Sequence, residues 1–109
     1  MIMLAWIYLS AAIATEVVGT VFLRYTDGFT RPAPSAVVIV TYVASLWLTA
    51  LALKGLEISL AYAVWAGVGT AAIAIIGMAA MGETVNALKL ASILLVIGGV
   101  VGLNLSGAN

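Results

Sequence analysis

The sequence predicts an all-α integral membrane protein with four transmembrane helices per subunit. Of its 109 residues, 65% are hydrophobic and 7% are charged, whereas a soluble domain carries about 25% charged residues. The apolar residues form four runs of about 20, and a helix of that length crosses the roughly 30 Å hydrocarbon core of a bilayer. Because these runs use most of the chain, we expect a single transmembrane domain over residues 1–109 with short loops.

The first predicted span, residues 3–23, contains the one charged residue that does not lie at or between the ends of the spans, Glu16. It is about 5 Å along the helix axis from the centre of the span, too deep for its side chain to reach the headgroups. A charge there costs about 3 kcal/mol, so it requires a partner, a proton or a water-filled cavity. Glu16 is therefore the main candidate for a functional residue. The alternative is a structural carboxyl group that is protonated and bonded to a neighbouring helix.

Three small or polar residues, Ala12, Gly19 and Thr20, share the helix face of Glu16 at 3.6-residue periodicity. Such side chains are suited to lining a cavity for a ligand beside the carboxyl group. They are equally suited to the close approach of two helices.

The second predicted span, residues 35–53, follows Pro32 and Pro34, which should prevent one continuous helix through the first loop. Ser35 is the predicted N-cap. Within the span, Tyr42 and Ser45 begin a stripe of polar and aromatic side chains at helical spacing. This stripe indicates either a substrate pocket or hydrogen bonds between helices.

The third predicted span, residues 59–81, has Tyr62, Trp65 and Gly69 on one face. Gly67 and Gly69 weaken the helix one turn beyond Trp65 and predict a kink there. Trp65 is also close enough to the start of the span to belong to the aromatic belt at the membrane surface.

The fourth predicted span, residues 87–105, has the small residues of a helix–helix contact: Ser92, Gly98, Gly99 and Gly102. A four-helix bundle fills its own centre with side chains, so a transporter of this size should be an oligomer. The fourth span is the predicted dimer contact.

The composition also excludes several functions. The chain has no Cys and no His, which removes thiol chemistry and the commonest metal ligands, so we expect no metal and no cofactor. Its net charge is zero, so nothing indicates nucleic acid as a partner. With no room for a domain outside the membrane, the chain is not expected to be an enzyme.

Three stretches resemble the small multidrug resistance family of transporters. The run ATEVVGT at residues 14–20 is similar to the segment around the family's membrane-embedded glutamate. The run DGFTR at residues 27–31 is similar to the family's first loop. The run AYAVWAGVGT at residues 61–70 is similar to its third-helix signature and is the most specific of the three.

The resemblance implies an antiparallel homodimer in the cell (inner) membrane that exports organic cations in exchange for protons. It implies that Glu16 binds either protons or substrate, that Tyr42, Tyr62 and Trp65 line the substrate pocket, and that the fourth helix forms the dimer contact. Together with the patterns above, the expected pocket residues are Ala12, Gly19, Thr20, Tyr42, Ser45, Tyr62 and Trp65.

Three positions bear on the substrate. Guanidinium exporters of the family are expected to carry Gly three residues before the glutamate and Trp three residues after it, whereas this chain has Ile13 and Gly19. Tyr42 stands where the drug exporters carry tyrosine. These features favour hydrophobic or quaternary-ammonium cations. The alternatives are a guanidinium exporter, one subunit of a paired heterodimeric transporter, and a membrane bundle that transports nothing.

The basic residues of the loops predict chains inserted in both orientations. Four spans place both termini and Lys54 on one side and Arg24, Arg31 and Lys89 on the other, one basic residue against three. Basic residues in short loops favour the cytoplasm, but this bias is small, so we expect both orientations with an excess of chains whose termini lie outside. C-terminal reporters that are active only in the cytoplasm or only outside should therefore both give signal. Signal from a single reporter would contradict dual topology.

Overall fold

The computed structural model describes residues 2–106, which form four α-helices: α1 (Ile2–Arg24), α2 (Pro32–Ala52), α3 (Ile58–Ala80) and α4 (Ala87–Leu105). All four are long and apolar enough to cross a membrane, and the described residues contain no β-strand. The predicted all-α fold with four spans is therefore confirmed. The helices form two compact units, one with α1 and α2 up to Leu56 and one with α3 and α4 from Glu57 onwards. The expectation of a single domain over residues 1–109 stays a prediction.

The start of α2 differs from the sequence-based expectation. The helix begins at Pro32 with Arg31 as its N-cap, so the predicted start at residue 35 and the predicted N-cap Ser35 were wrong, although the helix is interrupted before the prolines as expected. Proline is tolerated in a first helical turn because the N–H groups there have no carbonyl partner within the helix, and its fixed φ is helical. Ser35 instead donates its hydroxyl to the Arg31 carbonyl at 2.6 Å.

The loop between α1 and α2 is a tight turn, as the Asp-Gly pair predicts. Asp27, Gly28 and Phe29 all have positive φ, at 49°, 67° and 65°, in the left-handed region. The buried Thr26 hydroxyl holds the turn, since it donates to the Leu23 carbonyl at 2.8 Å and accepts from the Phe29 N–H at 3.1 Å. This turn sends α2 back along α1.

The helices α1 and α2 pack closely at two points. At Gly19, a Cβ atom would overlap the Thr41 hydroxyl and would lie 2.7 Å from the Tyr42 ring. At Ser45, the buried hydroxyl donates to the Ala12 carbonyl at 2.7 Å. In a membrane, where lipid is as apolar as leucine, close packing and interhelical hydrogen bonds of this kind hold helices together.

The loop between α3 and α4 makes polar contacts at both of its ends. Gly82 has a φ of 69°, and the next N–H, of Glu83, donates to the Gly77 carbonyl at 3.0 Å. Asn86 caps α4 by accepting from the Lys89 N–H at 2.8 Å. The Lys89 ammonium group lies 3.7 Å from the Glu83 carboxylate, so charged groups near the start of α4 are paired.

The close approach at Gly19 predicts that Gly19→Leu destabilises the protein. The added side chain has no space against Thr41 and Tyr42, and overpacking of this kind costs roughly 1–3 kcal/mol or more. Ala14→Leu is the matched control, because Ala14 lies on the same helix and is exposed. Thermal unfolding of the purified protein in detergent should show a lower midpoint for Gly19→Leu alone. Equal midpoints for the two variants would contradict the packing described here.

Candidate functional site

Glu16 lies in the middle of α1 with a half-buried side chain. One helical turn later, the Thr20 hydroxyl donates a hydrogen bond to Glu16 Oε1 at 2.9 Å. Among the four described helices, Glu16 is the only acidic residue, because Asp27 and Glu83 lie in loops and Glu57 is the N-cap of α3. The carboxyl group that the sequence identifies is thus set between the helix ends and bonded to a hydroxyl.

Tyr42 of α2 extends this contact to a second helix. Its phenolic oxygen lies 2.6 Å from Thr20 Oγ1, so carboxyl, threonine hydroxyl and tyrosine hydroxyl form a continuous chain of two hydrogen bonds. We call this set the Glu16–Thr20–Tyr42 chain. It brings together three of the residues that the sequence assigns to the site.

Three further predicted pocket residues, Ala12, Gly19 and Ser45, are buried. Ala12 and Ser45 are joined by the hydrogen bond described above, and Gly19 lies against Tyr42. These positions correspond to helix packing, which the sequence left open as the alternative to a cavity. Their part in lining a pocket stays a prediction. Gly19 nevertheless bears on the site, since its missing side chain is what admits the Tyr42 ring beside α1.

Tyr62 and Trp65 form an aromatic pair on α3. Their ring centroids are 5.6 Å apart and the ring planes are tilted by 37°. The Tyr62 side chain is 66% exposed, and the Trp65 indole N–H is buried without a hydrogen-bond partner among the described residues. The pair therefore offers an open aromatic face and an unused donor. Its predicted place around Glu16 stays a prediction.

The glycines of α3 have different surroundings. At Gly67, a Cβ atom would overlap the side chain of Val100 in α4, so this glycine permits close packing of α3 on α4. The two helices also line a groove of about 370 Å³, whose lining includes Ala63, Gly67, Gly99 and Val100. The helix runs unbroken from Ile58 to Ala80. The kink expected at Gly67 and Gly69 stays a prediction.

The predicted dimer contact on α4 is open within the chain. None of the α4 residues is buried, and a Cβ atom at Gly98, Gly99 or Gly102 would meet nothing within 4 Å. Ser92 bonds only within its helix, donating to the Leu88 carbonyl at 2.7 Å. The role of these four residues in a dimer stays a prediction.

One residue beside the candidate site, Thr41, is not predicted from the sequence. Its hydroxyl donates to the Val37 carbonyl at 2.7 Å and lies against Gly19, so it shares with Tyr42 the contact that brings α2 to α1. Periodicity gave no signal for it, because Thr41 lies one position before the stripe that begins at Tyr42. Only the pairing of the two helices identifies it.

Comparison with known proteins gives a consistent result. The family model described as "Small Multidrug Resistance protein" matches residues 4–96. A guanidinium exporter of Escherichia coli O6:H1 (strain CFT073) is 44% identical over 94% of this chain and 98% of its own. The nicotine metabolites export pump subunit NepB of Paenarthrobacter nicotinovorans is also 44% identical, over 94% of this chain and 61% of its own. The uncharacterized membrane protein YvaE of Bacillus subtilis (strain 168) is 44% identical over 92% of this chain and 84% of its own.

The family match covers most of the chain and includes the helices that carry Glu16, Tyr42 and Trp65. The relatives align over nearly the whole chain at identities well above those of chance similarity. Four apolar helices of spanning length agree with a multi-pass membrane protein. The chain belongs to the small multidrug resistance family of membrane transporters.

Proposed function

We propose that this protein exports organic cations across the cell (inner) membrane in exchange for protons, and that both bind at Glu16. The observation that carries the proposal is that Glu16 is the only acidic residue within the four described helices. A cation that crosses the membrane through this protein has that one carboxylate as its counter-charge in each chain. A proton that crosses has the same group as its carrier.

Charge balance makes the two ligands compete. One carboxylate is neutralised by one proton or by one monovalent cation, and in a medium of low dielectric constant an uncompensated charge is costly. A site that holds both would be left with a net positive charge. Cation binding therefore expels the proton, and protonation expels the cation. A protein that exposes Glu16 alternately to the two sides then converts a proton gradient into export.

The aromatic residues support an organic cation rather than a metal ion. Tyr42 is hydrogen-bonded into the Glu16–Thr20–Tyr42 chain, and the pair of Tyr62 and Trp65 offers an exposed ring face. Contact of a cation with an aromatic face contributes about 0.5–2 kcal/mol. In the proposed pocket, aromatic faces contact the cation that Glu16 neutralises.

Hydrophobic or quaternary-ammonium cations are the proposed substrates, because the Tyr42 ring beside Gly19 adds an apolar, aromatic surface next to the carboxyl group. A second candidate is guanidinium, since several relatives of about 40% identity carry the name guanidinium exporter. Its planar N–H groups suit a carboxylate with hydroxyl oxygens nearby. The relative NepB is named as a subunit of an export pump. This name supports a further variant of the proposal, in which this chain pairs with a different family member.

We predict that Glu16→Gln abolishes cation binding and proton-coupled transport while the protein remains folded. Glutamine keeps the shape of the side chain and part of its hydrogen bonding but cannot ionise. The matched control is Glu57→Gln, which removes an exposed carboxylate at the N-cap of α3 that makes no capping hydrogen bond. Binding of tetraphenylphosphonium and of guanidinium is measured on purified protein, and transport in proteoliposomes with an imposed pH gradient.

The same measurements separate the candidates. Tetraphenylphosphonium binding lost in Glu16→Gln and kept in Glu57→Gln supports the proposal, whereas binding of guanidinium alone supports the second candidate. Proton-coupled efflux that survives Glu16→Gln would overturn the mechanism. Binding of neither cation by the homogeneous wild-type protein would leave the paired transporter or the non-transporting bundle.

The dimer is part of this proposal, because one carboxylate on a small bundle needs a second subunit to enclose a passage. The proposed contact is the open face of α4 around Gly98 and Gly102. Val96 and Val100, two positions before and after Gly98, lie on roughly the opposite side of the helix, where Val100 contacts Gly67 of α3. The face with Gly98 and Gly102 therefore points away from α3 and is available to a second chain.

Gly98→Leu should reduce dimer formation, because a large side chain separates the backbones that a small-residue contact brings together. Gly98→Ala, which keeps a small residue, is the control and should dimerise normally. Chemical cross-linking in membranes measures the dimer fraction. A normal yield of dimer from Gly98→Leu would argue against this contact.

A further inference from the structure

Thr20 has one proton and two hydrogen-bond neighbours. Its Oγ1 atom lies 2.9 Å from Glu16 Oε1 and 2.6 Å from the Tyr42 hydroxyl. A hydroxyl group donates one hydrogen bond and accepts others through its lone pairs. When Thr20 donates to one of these neighbours, it can therefore only accept from the other.

With Glu16 ionised, the chain runs from Tyr42 to Glu16. A carboxylate only accepts hydrogen bonds, so Thr20 donates its proton to Oε1, as the structure has it. Thr20 can then only accept from Tyr42, so the phenolic proton is used inside the chain. The lone pairs of the Tyr42 oxygen are left for whatever lies beside this half-buried side chain.

With Glu16 protonated, the direction reverses. The carboxylic O–H becomes the strongest donor of the three groups, and Thr20 Oγ1 is the one hydrogen-bond partner that the described structure gives the Glu16 side chain. Once Thr20 accepts from Glu16, its own proton is free to be donated, and the Tyr42 oxygen at 2.6 Å is the acceptor that lies beside it. The phenolic proton is released from the chain and points away from it.

We propose that Thr20 is a positioning residue that transmits the protonation state of Glu16 to the Tyr42 hydroxyl. The inference rests on the proposed function and assigns the Glu16–Thr20–Tyr42 chain a part in it. When Glu16 is ionised, Tyr42 presents an oxygen lone pair, the negative end of its dipole, to the cation. When Glu16 is protonated, Tyr42 presents a hydrogen, the positive end. Proton and cation thus exclude each other more strongly than one carboxylate alone would make them.

Few other charged or titratable groups of the α1–α2 unit lie near the Glu16–Thr20–Tyr42 chain. Helix α2 carries no charged residue, and Tyr42 is its only titratable side chain. On α1, the other titratable residues are Tyr8 and Arg24, each eight positions from Glu16, about 12 Å along the axis. The charged residues Asp27 and Arg31 lie in the loop that follows α1. The hydroxyl chain is therefore the nearest polar neighbour of the carboxyl group within this unit.

The direct test is the infrared difference spectrum between high and low pH, recorded on the purified full-length protein. The phenol C–O stretching band responds to whether the hydroxyl donates or accepts, and the band absent from Tyr42→Phe belongs to Tyr42. We expect that band to shift as Glu16 is protonated in the wild type and in Thr20→Ser, which keeps the hydroxyl. The shift should be lost in Thr20→Val. If that variant does not fold, Thr20→Ala replaces it, and the shift should be lost there.

Thr15→Val is the matched control. Thr15 precedes Glu16 and is also half-buried, but its hydroxyl donates only to the Ala11 and Ala12 carbonyls of its own helix. The same substitution there should leave the Tyr42 band shift intact. A shift that survives in both Thr20→Val and Thr20→Ala, or one that is absent from the wild type, would overturn the proposal.

A binding measurement gives the consequence for transport. Lowering the pH should weaken tetraphenylphosphonium binding in every variant that retains Glu16. Between the ionised and protonated forms the total weakening should be roughly tenfold smaller in Thr20→Val than in the wild type, Thr20→Ser or Thr15→Val, the size of one ordinary hydrogen bond. Equal weakening in all four would remove the coupling role and leave the proposed exchange intact. Cation binding independent of pH in the wild type would instead refute the proposed function.

Discussion

The cost of holding a carboxyl group in the hydrocarbon core of a membrane is the constraint on which this structure depends. A charge placed there is unfavourable by several kcal/mol unless it is neutralised or solvated by the protein. Within the described helices, Glu16 is the one acidic residue that carries this cost, and its carboxyl group is hydrogen-bonded through Thr20 to the hydroxyl of Tyr42. Elsewhere the charged groups lie at helix ends and in loops, where water and lipid headgroups solvate them.

Gly19 determines both how α1 and α2 pack and where Tyr42 lies relative to Glu16. A side chain at this position would occupy the space of the Thr41 hydroxyl and the Tyr42 ring, so the missing Cβ is what lets α2 bring its tyrosine to the face of α1 that bears Glu16. The hydrogen bond from Ser45 to the Ala12 carbonyl fixes the two helices again two turns away. The same small residues that hold the helices together thus set the position of the polar chain, and a change in packing here is also a change at the site.

The sequence predicted the four spans and the position of Glu16 within one of them, because hydropathy over 20 residues and a lone carboxylate within it are strong signals. It did not predict the start of α2, since Pro32 reads as a helix breaker although a first helical turn accepts it. Nor could it decide whether Gly19 and Ser45 line a cavity or a contact, because small residues serve both purposes. The bond between Thr20 and Tyr42 depends on how two helices pair, and periodicity within a single helix carries no information about that.

The central claim, that proton and organic cation share Glu16, is tested most directly by the release of protons on binding. Tetraphenylphosphonium is added to the purified wild-type protein in weakly buffered detergent solution, at a pH at which Glu16 is protonated. The account predicts that the solution acidifies as the cation binds, and that the release vanishes at a pH high enough to ionise Glu16 beforehand. Saturable binding of the cation with no release of protons at any pH would contradict it.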